Sequence, residues 1–97
     1  MESSWLNYEW QRAGVGTYSR KSLGRREQDC LREILREARE SSGMSRRELS
    51  SKVGLTSHAI AKIERGVRLV DVVELIDIAE ALNLDPADFV SEVMRRR

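Results

Sequence analysis

The chain is short of the residues that most often carry chemistry. A single cysteine, Cys30, among 97 residues excludes an internal disulfide and a cysteine-rich metal site. A single histidine, His58, has no imidazole partner with which to hold a metal ion, so neither a metal nor a cofactor is expected. No apolar run approaches the ~20 residues that a membrane helix needs, and no membrane contact is expected. The opening MESSWLNYEW lacks a basic stretch leading into an apolar one, so no secretory signal is expected either. One cysteine and no signal point to a cytoplasmic protein. Length is limiting as well. A chain of 97 residues is one domain, too short for a barrel enzyme or a doubly wound nucleotide-binding fold. It offers no activated nucleophile and no carboxylate pair in an apolar setting, and a non-enzyme is expected.

Neither sign of charge prevails. Seventeen Lys and Arg against sixteen Asp and Glu leave a net charge of +1, which by itself argues for no particular partner. The total hides a segregation along the chain. Residues 1–19 carry one base and two acids, and residues 20–68 carry thirteen bases and seven acids. Residues 69–94 carry seven acids and no base, and Arg95, Arg96 and Arg97 follow. Such asymmetry suggests one half that meets an anion and another that does not. Solvated helix faces give the same pattern, so charge alone does not decide.

What is present is helical periodicity. From Glu27 to Ser42, Leu31, Ile34, Leu35 and Ala38 recur at helical spacing, with Glu33 and Arg36 as an i,i+3 ion pair and Gly43 as the stop. Ser45 and Glu48 fit a capping box opening a second helix, with Leu49 and Val53 inward and Gly54 as its end. Thr56 is the expected N-cap of a third helix that runs to Arg65 on Ile60 and Ile63 and stops at Gly66. Asp71 opens a fourth with Val72, Leu75, Ile76, Ala79 and Leu82 inward. Asp85-Pro86-Ala87-Asp88 is a strong start for a fifth, whose apolar side is Phe89 and Val93 with Val90 and Met94. The expected fold is all-α: five helices over residues 26–94, an aromatic N-terminal extension over residues 1–25, and a basic tail at 95–97. Helices two and three, two short helices joined by a Gly-containing turn, form a helix-turn-helix.

The stretch SRRELSSKVGLTSHAIAKIERG resembles the phage repressor and Cro-like (XRE-type) helix-turn-helix family, with Leu49, Gly54, Thr56, Ile60, Glu64 and Gly66 in register. The likeness continues through LVDVVELIDIAEALNLDPADF and covers about two-thirds of the chain. It implies double-stranded DNA as the partner, with the third helix in the major groove and the start of the second at phosphates. By position, Ser57, His58 and Lys62 are then the base-contacting residues. Lys62 can donate to guanine O6 or N7, and Ser57 can serve any base. His58 as a solvated histidine without a base contact is the plainer alternative. No acid lies between Leu49 and Ile63, as suits a face meant for phosphate. Backbone contacts fall to Arg46, Arg47, Lys52, Thr56, Arg65 and Arg68. Many family members carry Gln where this chain has Arg46, which leaves the half-site preference open. The resemblance also implies a structural ion pair between Arg39 and Glu64.

Outside the resemblance, Arg20, Lys21, Arg25 and Arg26 are candidates for a DNA-contacting arm, and a plain linker is the alternative. Trp5, Tyr8, Trp10 and Tyr18, four of the five aromatics, stand in the same segment. Their spacing fits a strand and a helical stripe equally. A small module buries too little surface for selective binding, so a homodimer is expected. Phe89, Val90, Val93 and Met94 on helix five are the favoured interface, and the N-terminal segment is the other candidate. The expected function is a sequence-specific transcriptional repressor acting on an inverted repeat. The alternative is an interaction module, an antitoxin or anti-activator, whose N-terminal segment binds a protein partner.

Overall fold

A computed structural model describes residues 25–97. The extension up to residue 24, with its aromatic residues and with Arg20 and Lys21 of the candidate arm, lies outside the described residues.

Among the described residues there are five helices, and four of their starts are fixed by a side chain that satisfies an otherwise orphaned backbone N–H. Helix α2 (Arg46–Val53) opens on a complete capping box. The Glu48 amide donates to Ser45 Oγ, and the Ser45 amide donates back to Glu48 Oε1, both at 3.0 Å. Helix α3 (Ser57–Glu64) opens with the Ala59 amide donating to Thr56 Oγ1 at 3.0 Å. Helix α4 (Val72–Ala81) has a second capping box, Asp71 with Glu74. Helix α5 (Pro86–Arg96) begins at Pro86 behind the Asp85 cap. Each such cap stabilises its helix by about 1 kcal/mol. Helix α1 (Arg26–Ser41) has Arg25 at its N-cap and no side-chain cap.

The ends are equally determined. Gly66 sits at φ +80°, which lets the Gly66 amide reach Ile63 O and the Val67 amide reach Lys62 O, both at 3.0 Å. A Cβ there would also lie 2.9 Å from Arg32 Cδ and Nε. Asn83 performs the same turn after α4 at φ 58°, a conformation Asn tolerates better than most residues.

Helix α1 packs against α3 and α5, α2 against α3 and α4, and α4 against α5. The core between them is Cys30, Ile34 and Leu35 of α1, Leu49, Ile60, Ile63, the α4 set Leu75, Ile78 and Ala79, then Leu82 and Phe89. Cys30 is a small buried core residue and a free thiol. No helix among the described residues is long and apolar enough to cross a membrane.

Four expectations need correcting. Val72 and Ile76 face outward at 71% and 38% exposure. The inward stripe of α4 is instead Leu75, Ile78, Ala79 and Leu82, at i, i+3, i+4 and i+7, and it is centred on an isoleucine the sequence reading passed over. Arg36 reaches forward to Glu40 at 3.4 Å, an i,i+4 pair, and not back to Glu33. Arg95 and Arg96 continue α5 and do not form a tail. Arg96 bonds Glu92 within its helix and Glu37 on α1. Phe89, offered as a dimer contact, is 3% exposed and belongs to the core. It shares its inward face with Val93, four residues on, while Val90 and Met94 are turned outward.

Candidate nucleic-acid interface

Eight residues of α3 turn through a little more than two helical turns, so its faces can be read off at 100° per residue. Ile60, Ile63 and Glu64 are buried, and Ser57, His58 and Lys62 are exposed. His58, Lys62 and Arg65 fall at i, i+4 and i+7, one outward stripe with Ala61 beside it and Ser57 at its edge. The stripe contains no carboxylate. Ala61, a small residue within this outward arc, leaves the helix backbone accessible to close approach.

Helix α2 lies against the start of this surface. Arg46 and Arg47 are its first two residues, and both are exposed. Its N-terminus and that of α3 add positive dipole ends and amide donors to the same region. Thr56 is occupied as the α3 cap. Arg47, Lys62 and Arg65 have no ion-pair partner among the described residues. Lys52 also lacks one, but it stands at the far end of α2 and lines an open cleft with Asp77, Glu80 and Asn83 of the acidic side. Arg68 is engaged: its guanidinium meets the Glu74 carboxylate through two hydrogen bonds, at 3.0 and 2.9 Å, and donates to Leu69 O. Neither partner was singled out from the sequence, although Glu74 stands at the capping-box position after Asp71. At the start of α1, Arg25 contacts Glu27 at 3.4 Å and Arg26 is exposed.

Behind α3 sits one buried carboxylate held by two arginines. Arg39 Nε donates to Glu64 Oε2 at 2.6 Å, and Arg39 Nη2 donates to Glu64 Oε1 at 3.1 Å. A third bond from Arg39 goes to Met44 O at 2.7 Å. Arg46 Nε also donates to Glu64 Oε1, at 2.9 Å. Burial by itself pushes the Glu64 carboxyl up, but the hydrogen bonds from Arg39 and Arg46 outweigh it and hold the group below the usual carboxylate range. The Arg46 contact was not foreseen, because eighteen residues separate the pair and no local spacing announces it.

A pair of short capped helices crossing at a glycine turn, set in five helices and presenting a cationic outer stripe, defines a helix-turn-helix domain. A family model described as a helix-turn-helix matches residues 35–89, and the chain belongs to this family, in its XRE-type branch. An HTH-type transcriptional regulator of Sinorhizobium fredii, y4dL, is 49% identical over 51 residues, covering 53% of this chain and 26% of the relative. This chain therefore spans about a quarter of that relative's length. Among solved structures, the clp gene regulator ClgR from Corynebacterium glutamicum is 26% identical with a TM-score of 0.67, over 71% of this chain and 73% of that one. An XRE-family like protein from Pseudomonas syringae is 28% identical with a TM-score of 0.66, over 71% and 84% of the two chains.

Proposed function

We propose that this protein is a sequence-specific DNA-binding transcriptional regulator, a repressor that binds an inverted-repeat operator as a homodimer. The observation that carries the reading is the acid-free outward stripe of α3, His58, Lys62 and Arg65, beside unpaired Arg47 at the start of α2. A helix of this kind fits the major groove, with His58, Lys62 and Ser57 at base edges. Arg46, Arg47 and Arg65 are the leading phosphate contacts, followed by the Thr56 backbone and Lys52. Arg68, already paired with Glu74, is the weakest of the set. Arg25 and Arg26 sit where an arm would begin.

For the dimer, α5 is the better supported surface. Val90 and Met94 are 51% and 57% exposed, one turn apart on one face. The alternative role, a protein-binding device in the N-terminal segment, rests on residues outside the described ones. A regulator of this kind carries out no catalysis and works where the DNA is, in the cytoplasm.

Selection of bound sites from random duplex DNA tests the reading. The expected product is a palindrome whose half-sites are centred about one helical turn, ~34 Å, apart. Recovery of no enriched sequence would refute it.

A further inference from the structure

We infer that Glu64 does more than lock α3 against α1: it is a positioning residue that aims the Arg46 guanidinium at a DNA phosphate. The inference rests on the DNA-binding reading above and identifies how one of its contacts is organised. A guanidinium is planar and offers five N–H donors in a fixed fork. In Arg46 the Nε–H is spent on Glu64 Oε1 at 2.9 Å. The two Nη groups have no partner among the described residues, and the side chain is 48% exposed. The edge left open is the Nη pair, the edge that meets a phosphate through two parallel hydrogen bonds.

Charge favours the same conclusion. Arg39 contacts both oxygens of Glu64 and is buried with it, so the carboxylate is already balanced inside the domain. Arg39 also has the half-exposed Glu40 carboxylate at 3.9 Å. Arg46 contacts no carboxylate among the described residues other than this shared Glu64, so its Nη edge remains available to an anion outside. Position favours it too. The carboxylate lies at the last residue of α3 and ties together α1, through Arg39, and the first residue of α2, through Arg46. The Arg46 Nε edge is thereby tied to the last residue of α3, while the side chain stays 48% exposed. An arginine restrained before binding loses less side-chain freedom on binding than a free one.

Arg46→Lys separates this role from plain charge. It keeps the cation and leaves the Arg39–Glu64 lock intact. A lysine, however, has one nitrogen, which must divide itself between Glu64 and the phosphate. Affinity is measured by fluorescence anisotropy on the selected operator and on a random duplex, with a thermal melt for each variant. Arg46→Lys is expected to melt like the parent and to bind both duplexes about fivefold more weakly. Arg46→Ala is expected to lose about tenfold and to flatten the salt dependence by about one phosphate contact. Glu64→Gln, assayed where it is folded, loosens the α1–α3 lock in either background, and should weaken binding by a larger factor where Arg46 is present than in the Arg46→Ala background.

Parental affinity in Arg46→Lys overturns the inference while leaving the DNA-binding reading intact. So does an equal effect of Glu64→Gln in both backgrounds. If Glu64→Gln fails to fold, Arg46→Lys decides alone. A parent chain that binds no duplex even at low salt removes the DNA-binding reading and this inference with it.

Discussion

In the half of the domain built by α2 and α3, Arg47, Lys62 and Arg65 stand without an ion-pair partner among the described residues, and Lys52 makes no salt bridge but lends its charge to Glu48 one turn earlier. In the half built by α4, α5 and the turn before them, each arginine is matched: Arg68 with Glu74, Arg95 and Arg96 with Glu92, Arg96 also with Glu37, and Arg97 with Glu27. The difference teaches that availability matters more than the number of cations. A paired arginine must exchange a carboxylate for a phosphate and gains little by it. An unpaired one gains the whole interaction and releases the counterions condensed on DNA. Arg46 stands between the two cases, since its partner is balanced by a second, buried arginine.

The largest expected effect breaks the scaffold on which both halves rest. Glu64→Gln leaves Arg39, 7% exposed, with only the solvent-facing Glu40 carboxylate at 3.9 Å, and removing one member of a buried pair costs about 3 kcal/mol. For a domain of this size that lowers Tm by about 10 °C or more. The carboxyl of Glu64 is held below its unfolded value, so its contribution is present above the ordinary carboxylate range. It is lost as pH falls through the lowered native value. Melts from pH 7 down to pH 3 should therefore show a smaller acid-induced drop in Glu64→Gln than in the parent. Equal Tm values at pH 7 would contradict the lock.

Next in size is the base-reading stripe. Lys62→Ala should cost ~1 to 3 kcal/mol on the selected operator, relax selectivity at one base position and change random-duplex binding little. Equal losses on both duplexes would place Lys62 at phosphate and break the division between the stripe and the α2 start. A third pair of variants tests availability directly. Arg47→Ala should weaken binding to every sequence and reduce the salt slope by about one. Arg68→Ala should leave that slope unchanged and lower Tm instead, because the Glu74 carboxylate loses its two hydrogen bonds from Arg68 and keeps the one from the Asp71 amide. A lower slope in both would show that pairing with Glu74 does not withhold Arg68 from DNA.

Local chemistry made much of this fold legible in the sequence. The caps at Ser45, Thr56, Asp71 and Asp85 and the turns at Gly54 and Gly66 act over three or four residues, so their spacing can be read directly. The inner faces of α1 and α3 were legible through Ile34, Leu35, Ile60 and Ile63. Helix α4 was not. Val72, Val73, Ile76 and Ile78 support two overlapping stripes, and the neighbours that choose between them are distant in sequence. The outward residues of α3 were visible as the complement of its apolar ones. Arg46 with Glu64, Arg68 with Glu74 and Arg96 with Glu37 were not visible, because which carboxylate an arginine meets depends on tertiary placement.

The smallest expected effect lies at the end of α5, where the acidic half holds its own cations. Arg95 and Arg96 both donate to Glu92, and together they hold its carboxyl down at about 2. The pairs nevertheless lie at the surface, with Glu92 half-buried, and surface pairs of this kind are worth little because solvent screens them and ordering the side chains costs entropy. Among the described residues, Arg95 pairs within its own helix, with Glu92 three residues earlier. Arg96 additionally crosses to Glu37 on α1 through two hydrogen bonds, at 3.1 and 2.9 Å. Arg95→Ala should therefore leave Tm unchanged within about 1 °C, while Arg96→Ala should lower it by roughly 2 to 4 °C, an effect that shrinks in high salt. Neither should alter the salt slope of DNA binding. A reduced slope in either variant would mean that these matched arginines reach phosphate after all, and the contrast between the two halves would then fail at its least protected point.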